Sequence, residues 1–181
     1  MAELSDFGAE LFEEAKRFLE RARELGNSDG SKAFLHAALL LGFAAFEAHV
    51  NAAADDFLSR TDLSVHERGL LSERAVELIH GEFRLTNTLR IQRIDDRVLF
   101  LCKRFSNTPI DRRASFWGGF QNATKLRNRL THPKGGQVAV TEIDVERALS
   151  AIVEFLNAMC LSLYRKKLPA FARGLASKKT F

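Results

Sequence analysis

Ala33-Phe-Leu-His-Ala-Ala-Leu-Leu-Leu-Gly-Phe-Ala-Ala-Phe-Glu-Ala-His-Val-Asn-Ala-Ala-Ala54 decides the architecture. Its apolar residues return on nearly every side of a 3.6-residue period, the pattern of a helix enclosed by other helices. The stretch is also long enough to span a bilayer. It carries His36, Glu47, His49 and Asn51, however, and an ionised Glu near mid-span costs several kcal/mol. The spacing therefore predicts a buried central helix over about 32–59 of a soluble protein, with no membrane partner.

Outward from this rod the chain reads as helices on both sides. Residues 3–25 repeat Leu4, Phe7, Leu11, Phe12, Ala15, Phe18, Leu19, Ala22 and Leu25 at spacings of three and four, which predicts an amphipathic helix. The cluster Gly26-Asn-Ser-Asp-Gly-Ser31 ends it and starts the central one. Ser64 with Glu67 is a capping-box pattern that opens a third helix, predicted to run to about Ile79. His80 to Ile91 is ambiguous, because Thr86-Asn87-Thr88 is poor in helix propensity. Further helices are predicted over about 94–105 and 112–131. After Pro133-Lys134-Gly135-Gly136 and a short extended piece at 137–140, Thr141 can cap a last helix reaching about Lys167. The reading is all-α, a single-domain antiparallel bundle of about five helices over 1–168, with a loosely ordered tail at 169–181.

Length and composition agree with one globular domain: 181 residues, 46% hydrophobic and 28% charged, too apolar for a disordered chain. Cys102 and Cys160 form no Cys-x-x-Cys motif and read as reduced, buried small hydrophobes. The acidic start, Met1-Ala-Glu-Leu-Ser-Asp6, is unlike a secretory leader. A cytoplasmic location is expected.

Charge is unevenly placed. Residues 1–60 hold 6 Lys/Arg against 11 Asp/Glu, whereas residues 84–134 hold 12 against 3. Such a block is either a solvated helix surface or the footprint of a phosphate-bearing partner. There is no P-loop, dinucleotide fingerprint or Gly-x-Ser-x-Gly motif. His36, His49, His66, His80 and His132 show no His-x-x-x-His or His/Cys spacing, so neither a metal nor a cofactor is expected.

The segment Lys125-Leu-Arg-Asn-Arg-Leu-Thr-His-Pro-Lys134 concentrates cations, an amide and an imidazole beside a helix-ending proline. Arg127-Asn128, four residues and then His132 resembles the signature of the HEPN superfamily (higher eukaryotes and prokaryotes nucleotide-binding). The central helix, with its polar Glu47, is similar to that family's long apolar helix. Arg60–His66 and Arg74–His80 have a comparable gap of five residues, but they lack the following Asn and lie at the edges of a different predicted helix.

This resemblance implies a HEPN-like helical domain that dimerises so that two motifs face one cleft. It further implies metal-independent RNA cleavage, with Arg127, His132 and Asn128 catalytic. Arg127 would stabilise the phosphate, His132 would exchange a proton with the attacking or leaving oxygen, and Asn128 would orient the imidazole or the substrate. On an ideal helix His36, Glu47 and Asn51 share one polar stripe, and Glu47 is expected to support Arg127. Arg112, Arg113, Lys125, Arg129 and Lys134 would bind RNA backbone. A toxin or defence effector restrained by an antitoxin or regulatory protein fits this reading. A non-catalytic HEPN-like dimer binding nucleotide, RNA or protein fits the same residues. In a third reading, of a plain helical scaffold, Glu47 faces solvent, Arg127 and Arg129 are surface charges, and His132 interacts with a helix dipole.

Overall fold

The computed structural model describes residues 2–26, 28–106, 108–133, 138–168 and 173–181, with side chains from Asp6 onward. Among these residues the fold is mostly helical, with one small hairpin. Its elements are α1 (Ala2–Leu25), α2 (Asp29–Leu58), α3 (Val65–Ser72), β1 (Arg74–Ile79), β2 (Glu82–Leu89), α4 (Ile94–Phe105), α5 (Ser115–Thr131) and α6 (Glu142–Tyr164).

α2 is central, as its all-round apolar sequence requires. α1 packs along it, and α3, α4, α5 and α6 share its remaining surface. Ser28 caps α2 by accepting the Ser31 N–H, and the buried Ser31 hydroxyl donates to Ala22 O at 2.9 Å, tying the two helices at their junction. Phe46 of α2, Phe120 of α5 and Phe155 of α6 meet with ring centroids 4.7–5.3 Å apart, within the range of favourable aromatic pairs. Trp117 joins them at 5.4 Å from Phe155. α2 and α6 approach so closely that a Cβ on Gly42 would lie 2.3 Å from Leu149 Cδ2. By length and composition alone these two helices are also apolar enough to cross a membrane; here they supply the middle of the core.

Three sequence expectations need correction. The third helix does not reach Ile79. Glu73 turns left-handed (φ 51°) after Ser72, and residues 74–89 form an antiparallel hairpin about His80-Gly81, both at positive φ. Two successive positive-φ residues form the tight turn whose twist suits a hairpin. Val76, Leu78, Phe83 and Leu85 lie on one face of it by register, and α3 covers only part of that face. A Cβ on Gly69 would meet Val76 Cγ2 at 2.7 Å, while Leu78 stays 64% exposed.

The last helix ends at Tyr164, with Arg165 left-handed (φ 59°), rather than at Lys167. Nor is the end of the tail loose. Ser177 N–H donates to Glu20 Oε1 at 2.8 Å, Lys178 N–H to Glu13 Oε2 at 2.7 Å, and Lys179 Nζ pairs with Glu10 and Glu14. Lys16, fully buried on α1, is satisfied by Glu13 and by Ala176 O at 3.0 Å. Residues 169–172 lie outside those described.

Candidate functional site at the end of α5

α5 presents two unlike sides because residues two apart on a helix differ by about 200°. Lys125 and Arg129 fall on one side and Arg127, between them, on the other. The first side borders a groove of about 720 Å³ between α5 and α6. Lys125, Asn128 and Arg129 line it, facing Arg147 and Asp144 of α6, over small residues such as Gly119 and Ala123. All three cations are exposed. Among the described residues none of them enters an ion pair or a hydrogen bond, whereas Arg17, Arg23, Arg60, Arg93, Arg97 and Arg104 are each held by a carboxylate. Asp144 is held in a capping box with Thr141, which donates to it at 2.7 Å through its hydroxyl.

His132 closes α5. Its N–H still donates to Asn128 O at 2.9 Å, so its Cα keeps helical position, one turn beyond Asn128 and about 40° around from it. Pro133 prevents continuation. The residue itself leaves helical geometry (φ −132°, ψ 66°) and is exposed.

Arg127 turns to α2. Its guanidinium carbon lies 5.0 Å from the centroid of the Phe43 ring, a cation–π distance, and its Nε is buried with no hydrogen-bond partner. The positions of Arg127 and His132 are about 140° apart around the helix axis.

Glu47 does not support Arg127. It is exposed, and it is among the carboxylates whose charge acts on Arg97. Near that point α2 turns inward the buried His49, and it uses the partly buried Asn51, whose Oδ1 accepts from Arg97 Nη1 at 2.8 Å. Arg97, 4% exposed, also donates to Leu71 O at 3.0 Å and pairs with Glu73 at 3.2 Å. Burial pulls its pKa down, opposed by Glu73, Asp55 and Glu47. The polar stripe foreseen on α2 is thus split between a half-buried His36, an exposed Glu47 and a bonded Asn51.

Arg112 and Arg113 precede α5, at the end opposite His132, and the helix between spans about 25 Å. Arg112 lies over the Trp117 ring at 5.2 Å, and Arg113 N–H donates to Asp111. They do not join the groove. Lys134 lies outside the described residues. The two other Arg–His pairs are used locally: Arg60 is held bidentately by Asp62 at 2.8 and 3.0 Å, and Arg74 donates to Asn87.

Arg147 and Asn122 belong to the groove but were missing from the expected site. A signal for the second was present: Asn122, Lys125 and Arg129, spaced three and four, form a polar stripe along α5. Cys102 and Cys160 are buried and free. Burial pushes the Cys160 thiol up to about 12, so it is no ready nucleophile. Among the described residues no three His, Cys, Asp or Glu side chains gather where a metal ion could be held.

Compared with protein-family models, with curated proteins and with solved structures, the chain finds no match. The functional reading therefore rests on the residues at the end of α5 and their placement.

Proposed function

We propose that the protein is a HEPN-type helical domain acting on RNA, a metal-independent endoribonuclease whose working end is the C-terminal turn of α5. One observation carries this reading: Asn128 and Arg129, with the exposed His132 ending the same helix, belong to a turn beside a groove whose cations Lys125, Arg129 and Arg147 have no carboxylate partner among the described residues. A helix surface made only for solvation gains from pairing such charges, as Arg17, Arg23, Arg60, Arg93 and Arg104 are paired elsewhere in this chain.

In the proposed reaction a ribose 2′-OH attacks the adjacent phosphorus, the P–O5′ bond breaks, and the leaving 5′ oxygen takes up a proton. His132 exchanges a proton with the attacking or leaving oxygen, and Asn128 orients the imidazole or the substrate. Arg127 provides a planar donor fork for the charge that builds on the phosphate. Because the positions of Arg127 and His132 are about 140° apart around α5, the proposed unit is a homodimer in which Arg127 of one protomer serves the same phosphate as His132 of the other. An antitoxin-like protein covering this end of α5 would restrain it.

The test is cleavage of a mixed-sequence RNA by purified protein in EDTA, beside Arg127→Ala and His132→Ala. Expected are products ending in 2′,3′-cyclic phosphate and 5′-OH, lost in both folded variants, and no cutting of the all-2′-deoxy analogue. Cleavage that survives both substitutions would sink the assignment. RNA binding without cleavage would favour the non-catalytic member of the same fold.

A further inference from the structure

We infer that the α5/α6 groove is a subsite for one phosphate-bearing nucleotide unit of the RNA, its phosphate gripped between Arg129 of α5 and Arg147 of α6 with Lys125 beside them. The inference deepens the RNA reading above, and in its identification of the ligand it rests on that reading. The groove itself stands on its own geometry. Cations from two helices converge on it and, among the described residues, none is neutralised, so an anion seated there replaces water without breaking an existing ion pair. The volume, about 720 Å³, falls in the range of small-ligand pockets.

The floor suits a flat ring. Gly119, Ala123 and Ala148 line it, and a Cβ on Gly119 would come within 3.1 Å of Ala151 Cβ, so the helices are as close there as side chains allow. Asn122 and Asp144 supply the neutral and acidic groups at the rim. One Asp144 oxygen is taken by Thr141, which leaves the other to accept from a base N–H or a ribose hydroxyl. A nucleotide so placed lies alongside Asn128, and the next phosphate along the strand comes to His132, one helical turn further on.

The experiment is titration of the full-length protein, in EDTA, with adenosine and uridine 5′-monophosphate and separately with inorganic phosphate, read by calorimetry or amide chemical shifts. The variants are Arg147→Glu, Arg129→Glu and, as a charge-matched control outside the groove lining, the exposed Arg173→Glu. Loss of one charged contact should weaken mononucleotide binding about tenfold in each groove variant, while Arg173→Glu binds as wild type. Equal weakening in Arg173→Glu would reveal diffuse charge attraction and overturn the site. A mononucleotide that binds no tighter than inorganic phosphate would overturn the nucleotide assignment. Because binding is read without turnover, groove binding with no RNA cleavage defeats only the nuclease reading, and cleavage with no groove binding defeats only this inference.

Discussion

Arg97 and Arg127 are both arginines turned inward, and they do different things. Arg97 joins α2, α3 and the turn between α3 and β1 through Asn51, Leu71 O and Glu73. Arg97→Met would leave those acceptors unmatched and should lower unfolding free energy by about 2–4 kcal/mol, read from the urea midpoint. Arg127→Met keeps an apolar stem against Phe43 and should cost about 1 kcal/mol or less in the same measurement. It would still abolish RNA cleavage on the reading above. The Arg–Asn–His segment was legible from residue types alone. That Glu47 would face solvent was not: a rod apolar on nearly all sides gives no period to say which side water takes. Nor does spacing reveal that Arg127 prefers a phenylalanine ring to its neighbours' groove, because Phe43 is 84 positions away in the chain.

Among the helices, periodicity located α1, α2 and α4 within a few residues, because each carries a sustained apolar pattern and turn residues follow α1 and α4. The hairpin escaped it. Arg74-Ala-Val-Glu-Leu-Ile79 satisfies both a helical and an alternating pattern over six residues, and what decides is the left-handed Glu73 and the His80-Gly81 turn. Gly81→Val should therefore be costly at φ +84°, by about 1–2 kcal/mol, and should loosen amide-exchange protection over 74–89 while leaving α2 protected. Gly42→Ala tests the α2–α6 contact. Its new methyl would sit 2.3 Å from a Leu149 methyl inside the core, so a loss of about 1–3 kcal/mol is expected from overpacking. A thermal midpoint equal to wild type would show that the two helices part readily. The α5/α6 groove was only half legible, since the α5 stripe can be read off the sequence but its pairing with Arg147 depends on how α6 docks.

For the folded chain as a unit, pH is a sharp probe. Burial against α1 pushes the His49 imidazole down to about 4, from an ordinary value of 6.5. As pH falls from 6.5 towards 4 the unfolded chain gains a proton that the folded chain refuses. Stability should therefore decline through that window, by up to about 3 kcal/mol, and this contribution should level off below it. His49→Gln should flatten the urea midpoint between pH 7 and pH 5; an unchanged slope would mean that other groups carry the dependence.

Assembly bears most directly on the proposed chemistry. In the proposed dimer, the separation of Arg127 and His132 around α5 has a working site take one from each protomer. The decisive measurement is RNA cleavage in EDTA after Arg127→Ala and His132→Ala proteins, each inactive alone, are mixed in equal amounts and allowed to exchange subunits. Half of the dimers are then mixed and one of their two sites is intact, so about a quarter of wild-type activity should return. Mixed dimers that form and stay inactive, while wild type cleaves, would contradict a site shared across the α5 ends.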